Sequence, residues 1–228
     1  ERAGIMISMA DGSKIPPGEV HLWWGSLALD DAELSRCRTL LDGPELARAE
    51  RFRIPEARRR FIAARATLRS ILGEVTAVDP RAVRFAYGEH GKPRLADGGP
   101  CFNASDSGDH VVVALAGAEL GVDLELLRPL VRPEGLAQRI CTDDEHAAWA
   151  LLPGADRDAA LLRLWTAKEA ALKATGTGLG GGLRNVELEL DGNLPPRLWR
   201  LCGELDGWQL LVADPAPGLL CTVVISGA

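Results

Sequence analysis

Between residues 120 and 129 the chain reads L-G-V-D-L-E-L-L-R-P, an apolar strand carrying two carboxylates, Asp123 and Glu125, two positions apart. Alternate side chains of a strand share a face, about 6.6 Å apart along it, so both acids can converge on one hard cation such as Mg2+. This spacing describes half of a divalent-metal site. A second segment, L-W-T-A-K-E-A-A-L-K at 164–173, places Glu169 between Lys168 and Lys173 on a predicted helix. A further acidic ligand and two phosphate-binding cations would then stand beside the first pair. Each feature has a plainer reading: a solvated edge strand for the two acids, and for Glu169 an i,i+4 pair with Lys173 worth only a few tenths of a kcal/mol. Gly121, Val122, Leu124 and Leu126 argue against a wet strand, because apolar residues need a core while the acids need a partner.

Other polar segments surround these. G-K-P-R-L at 91–95 holds Lys92 on a rigid bend beside Pro93, suited either to a plain turn or to a phosphate contact. F-N-A-S-D-S-G at 102–108 reads as a polar loop between two apolar strands, with hydroxyls and an amide able to hold phosphate oxygens. The glycine-rich stretch at 176–182 follows a helix instead of opening one, so it is a helix stop and not a phosphate-cradling loop. T-D-D-E at 142–145 fits a capping box, with Thr142 at the N-cap and Glu145 at N3. His90 reads as a surface histidine.

These residues need elements to position them. The pattern predicts α+β: a strand at 20–27, helices at 30–41, 44–52 and 55–72, and strands at 83–87, 101–104, 110–116 and 120–127. A helix from 142, a long one over 158–175 ended by Gly176, and strands at 186–190, 199–202, 209–213 and 219–225 follow. A 104-residue shift pairs Phe61, Ala66, Leu68 and Arg69 with Trp165, Ala170, Leu172 and Lys173, a faint duplication that divides the chain into two lobes. A ligand would sit in the seam between them.

With 228 residues the chain can bury about 70–75% of its unfolded surface, enough for a core without staples. Five scattered cysteines without C-x-x-C spacing argue against a disulfide framework or structural zinc. The absence of a long apolar run and of a basic-then-apolar leader reads as a cytoplasmic protein without a membrane partner. The net charge of −6 hides an arginine-rich stretch at 48–69, locally +6, which leaves −12 elsewhere. A nucleic-acid partner is disfavoured by that acidic remainder and by the lack of a recognition motif. Only four lysines occur among 26 basic residues, and three of them, Lys92, Lys168 and Lys173, fall in the segments above.

Taken together, G-K-P-R-L, F-N-A-S-D-S-G, G-V-D-L-E and W-T-A-K-E-A-A-L-K resemble, in order and spacing, the signature motifs of the surfactin-type (Sfp-type) 4′-phosphopantetheinyl transferases, from about residue 48 to 182. The resemblance implies a monomer of two similar α/β lobes related by pseudo-twofold symmetry, 1–127 and 128–228, with coenzyme A and Mg2+ at their interface. It also implies an activity: Mg2+-dependent transfer of 4′-phosphopantetheine from coenzyme A to a serine of an acyl or peptidyl carrier protein. Adenosine 3′,5′-bisphosphate would be released, and the carriers would be those of polyketide or nonribosomal peptide biosynthesis. Carried over residue by residue, Asp123, Glu125 and Glu169 are the metal ligands, and Glu169, Lys173 and Asp123 form the catalytic set. Arg53, Arg60, Lys92, Ser105, Asp106 and Lys173 are the coenzyme A contacts. Arg60 best matches an arginine near the 3′-phosphate, with Arg53 and Arg65 as nearby candidates, and Glu145 occupies the place of a second acidic residue.

One departure stands out. Asp106 occupies the position of a family histidine, and a carboxylate about 4 Å from a phosphate oxygen repels it by roughly 4 kcal/mol at an effective dielectric of 20. Asp106 must turn away, meet Mg2+ or an arginine, or be protonated; His110 could replace the lost imidazole. The alternative this leaves open is a coenzyme A-binding protein of the same fold with reduced or lost transferase activity.

Overall fold

In the computed structural model, which describes residues 15, 19–178, 182–189, 197–201 and 207–227, one sequence of elements runs twice. The first pass is β1 (Val20–Ser26), α1 (Asp31–Arg38), α2 (Gly43–Ala49), α3 (Pro55–Thr76), β2 (Phe85–Tyr87), β3 (Pro93–Leu95), β4 (Cys101–Ser107) and β5 (His110–Ala116). The second is β6 (Leu120–Leu126), α4 (Pro133–Ile140), α5 (Asp143–Leu151), α6 (Gly154–Thr175), β7 (Val186–Glu189), β8 (Arg197–Leu201), β9 (Trp208–Val212) and β10 (Leu219–Ser226). Two three-stranded antiparallel sheets result, ordered β1-β5-β4 and β6-β10-β9, with hairpins β2-β3 and β7-β8 beside them. Each large sheet sets its first strand against its last.

Local chemistry fixes the helix ends. α1, α2 and α5 all open on capping boxes, formed by Asp30 with Glu33, Asp42 with Glu45, and the expected Thr142 with Glu145. Pro55 opens α3 at a position where its missing N–H costs nothing. Gly176 closes α6 in the left-handed region (φ 70°), as the glycine stop requires. The apolar faces of the two long helices then find different sheets. Leu68, Ile71 and Leu72 of α3 pack on Trp23, Phe102, Val113 and Leu115, while the alanines of α6 pack with Val224 and Leu188. Val112, Ala114 and Ala116 of the first sheet share a third core with Leu120, Val122, Leu124, Cys221 and Val223 of the second.

Several expectations change. The polar stretch at 102–108 is no loop: β4 continues to Ser107, its hydroxyls and amide being a strand face turned to β6. β6, assigned by sequence to the first lobe ending at 127, is hydrogen-bonded to β10 of the C-terminal stretch. The duplication is also offset differently. α3 and α6, each 22 residues long, begin 99 residues apart at Pro55 and Gly154, not 104. β3, α4 and the first four residues of α6 escaped the pattern, and Leu190 and Cys202 lie outside the described residues.

Candidate active site

Gly121 decides where α6 lies. A Cβ at that position would stand 2.1 Å from the carbonyl oxygen of Ala170 and 2.3 Å from the backbone nitrogen of Ala174, so only glycine lets α6 cross β6 this closely. Two residues along the same strand face, buried Asp123 thereby meets Lys173, whose Nζ donates to Asp123 Oδ1 at 2.6 Å. Ser105 of β4 completes a triangle: its Oγ donates to Asp123 Oδ1 at 2.8 Å and accepts from Lys173 Nζ at 3.0 Å. Side chains also stitch β4 to β6. Asn103 Oδ1 accepts from the Val122 backbone N–H, and Ser107 Oγ accepts from Leu126 N–H while donating to Glu125 Oε2 at 2.8 Å. Three expected residues, Ser105, Asp123 and Lys173, are thus in direct contact.

The electrostatics show what is missing from this cluster. Asp123 Oδ2 and Glu169 Oε1 are both buried without a hydrogen-bond partner, and an ionised carboxylate oxygen can only accept. Burial pushes the Glu169 carboxyl above its usual pKa, and the nearby Asp123 pushes it further, with Lys173 opposing. Burial likewise raises Asp123 against the pull of Lys173 and Ser105. Two orphaned, desolvated acid oxygens in one seam are acceptors of the kind a hard divalent cation binds. The three expected ligands are not preassembled, however: among the described residues no group of three carboxylate, imidazole or thiol side chains converges on one point, and Glu125 is turned to Ser107. Behind the site, burial and then the Asp123 charge push the Cys221 thiol up to about 12.

A cavity of about 510 Å3 opens between α3 and β4, lined by Arg60, Arg65, Phe61, Asn103 and Asp106, and by Arg48, which the sequence reading missed. Its walls mix cations with aromatic faces, as an anionic nucleotide would need. Arg60 Nε donates to Asp109 at 2.7 Å, and Arg48 lies over the Phe61 ring. Arg53 is exposed and lines neither this cavity nor the next. Asp106 stands between the two charged regions: partial burial raises its pKa, Lys173 and Arg60 pull it down, and Asp123 pushes it up. Among the described residues it forms no ion pair with either cation, Arg60 being paired with Asp109 instead. His110 pairs across from Ser107 at the strand end and lines neither cavity, so it does not replace an imidazole there.

Two lysines fall elsewhere. Lys92 lies in an adjacent cavity, also about 510 Å3, that meets the first at Pro93 and Phe102. Its Nζ donates to Glu119 at 2.5 Å and to the Ala174 carbonyl at 2.8 Å, at the C-terminal end of α6. Lys168 is no phosphate ligand. It is fully buried, and its Nζ donates to Glu145 Oε2 at 2.6 Å and to three backbone carbonyls. Five of the eight arginines at 48–69 form ion pairs within the chain: Arg58 pairs with Glu50, Arg59 with Asp31, Arg60 with Asp109, and Arg65 and Arg69 with Glu45. Polar alternation over 101–107 was the signal that could have placed Asn103 and Ser107 on the seam.

A β6-to-α6 seam with unpartnered acids, a lysine and an arginine-lined cavity is the arrangement of a phosphoryl-group transferase. The family model of the 4′-phosphopantetheinyl transferase superfamily matches residues 119–223. The 4′-phosphopantetheinyl transferase HetI of Nostoc sp. is 38% identical over 92% of this chain and 88% of its own length. The 4′-phosphopantetheinyl transferase psf-1 of Bacillus pumilus is 31% identical over 73% of this chain and 72% of its own. A solved structure, Thermotoga maritima holo-[acyl-carrier-protein] synthase, aligns with 48% of this chain and 63% of its own at 23% identity and a TM-score of 0.38. The chain belongs to the 4′-phosphopantetheinyl transferase superfamily and is an enzyme of that class, the psf-1 match fitting the surfactin-type group.

Proposed function

We propose that the enzyme transfers 4′-phosphopantetheine from coenzyme A to a serine of an acyl or peptidyl carrier protein, acting as a cytoplasmic monomer whose two halves, related by an approximate twofold axis, enclose the site. The unpartnered Asp123 and Glu169 oxygens near Lys173, with Asp106 of the arginine-lined cavity feeling the charges of Lys173 and Asp123, carry this reading. The cavity takes the nucleotide: Arg48, Arg60 and Arg65 face its phosphates, and Phe52 and Phe61 offer apolar rings to the base. Asp123 and Glu169, joined by Glu125 once it leaves Ser107, would hold Mg2+, which when bound supplies charge neutralisation on the diphosphate.

Lys173 is placed to hold a diphosphate oxygen, and Ser105 fixes Asp123 and Lys173 relative to each other. The carrier serine Oγ attacks the β-phosphorus; its bond to phosphorus forms as the bridging P–O bond breaks, and adenosine 3′,5′-bisphosphate leaves. Glu169 directly, or a water held beside it, would accept the serine proton. Lining up the bound serine can contribute about 7–11 kcal/mol by removing translational freedom. The carrier would approach past the segment after Glu125, where Val131 (94% exposed) and Leu127 (46%) lie beside the exposed Arg128 and Arg132. Apolar anchors within a basic rim suit an acidic helical surface.

Intact-mass measurement of a carrier protein incubated with the enzyme, coenzyme A and Mg2+ tests this. One added phosphopantetheine arm is expected, lost with Asp123→Ala and Glu169→Ala. Nucleotide binding with an unchanged carrier mass would instead identify a coenzyme A-binding protein that no longer transfers, the reading Asp106 favours.

A further inference from the structure

Two buried cations that touch neither cavity occupy matching positions in the two halves. In the first half, the Arg69 guanidinium is fully buried in α3. It donates to Glu45 Oε2 at 2.6 Å, to Asp42 Oδ2 at 2.7 Å, and to the carbonyls of Pro80 and Val83 at 2.9 and 3.0 Å. In the second half, Lys168 of α6 donates to Glu145 Oε2 at 2.6 Å and to the carbonyls of Ile140, Leu183 and Val186 at 2.8, 3.1 and 2.7 Å. Both glutamates are N3 residues of capping boxes. In each half, two of the accepting carbonyls bracket a 3-10 turn, Pro80–Ala82 or Leu183–Asn185. Glu145 Oε1 also accepts from the Leu188 backbone N–H at 2.8 Å. The same knot is tied twice.

A buried charge with this many partners resists displacement, because losing any one leaves another group unpaired. Each knot therefore fixes the rotation and axial height of its long helix. The helices carry different residues. α3 presents Arg60 and Arg65 to the nucleotide cavity, and Arg65 Nε lies 3.2 Å from Glu45 Oε1, an ion pair without hydrogen-bond alignment. On α6, Lys168 directly precedes Glu169, and Lys173 follows one turn later.

We propose that Glu45–Arg69 and Glu145–Lys168 are twin positioning pairs with separate effects, the first setting affinity for coenzyme A and the second setting turnover. The inference rests on the transferase reading above. With all its donors occupied, Lys168 acts on the reaction only through the helix that carries Glu169 and Lys173.

The test uses the full chain with the isosteric variants Glu45→Gln and Glu145→Gln, reading kcat and KM for coenzyme A on protein whose folded fraction is measured by circular dichroism. Glu45→Gln is expected to raise KM about tenfold with kcat within twofold, and Glu145→Gln to lower kcat about tenfold with KM within twofold. Parallel losses in both variants, or losses that match the unfolded fraction, overturn the proposal. Should either variant fail to fold, Arg69→Lys and Lys168→Arg keep the charge with altered reach and must show the same split; its absence overturns the idea equally. A wild-type protein that labels no carrier overturns the transferase reading instead. Calorimetric coenzyme A binding then still judges the first pair, which must weaken about tenfold with Glu45→Gln and hold with Glu145→Gln.

Discussion

Asp106 concentrates the tension of the site in one side chain. It places a negative charge in a cavity otherwise suited to phosphate, between Arg60 and Lys173, whose positive charges it partly cancels. Removing that charge should strengthen the field that a diphosphate meets. Asp106→Asn is expected to lower KM for coenzyme A about tenfold, equivalent to about 1.4 kcal/mol, in steady-state transfer assays. An unchanged or higher KM would mean that the carboxylate faces a hydrogen-bond donor of the ligand and not its phosphates. At this scale the strand spacing singled out Asp123, which the structure sets in contact with Ser105 and Lys173, while Glu169 keeps a buried oxygen without a partner. The sequence misled at Lys168, because residue type announces a cation but not whether it points inward to carbonyls, as Lys168 does, or stands exposed, as Arg53 does.

Among the elements, the crossing of α6 over β6 matters most. It depends on Gly121, because the atoms a Cβ would strike belong to the backbone of α6 and cannot swing aside. Gly121→Ala should therefore destabilise the fold by about 3 kcal/mol in urea unfolding and abolish transfer, since the carbonyl carbon of Lys173 is among the atoms displaced. Retained stability and activity would show that the helix can slide. Strand and helix positions were largely readable from periodicity. The stretch at 102–108 was not, because a strand whose polar face serves another strand has the composition of a loop. Asn103 and Ser107 satisfy β6 N–H groups by side chain, an arrangement that only the assembled pair of sheets reveals.

For the whole molecule, the acids of the seam set how stability responds to pH. Asp123, Glu169 and Asp106 have pKa values raised on folding, so their contribution is full below the ordinary carboxylate range and is lost as pH rises through the raised values. The metal-free protein should gain less from Mg2+ at pH 5 than at pH 8, because raised pKa values keep a larger share of these groups protonated at the lower pH. At a hundredfold excess over Kd the gain is about 2.7 kcal/mol, or roughly 5–10 °C in Tm for a chain of this size. Scanning calorimetry at the two pH values checks this, and an equal gain at both would detach the metal from these carboxylates. The sequence could not foretell the partner of β6, because the acids lie on a strand that pairs with the C-terminal β10, 93 to 105 residues further along.

The sulfur behind Asp123 bears on the proposed reaction, whose donor molecule is itself a thiol. Held near 12, Cys221 stays in its unreactive protonated form at any physiological pH, as does Cys141 near 11. Oxidised coenzyme therefore finds no thiolate at Cys221 or Cys141 with which to form a mixed disulfide, which among the described residues leaves the two half-buried thiols, Cys37 and Cys101, as the ones it could reach.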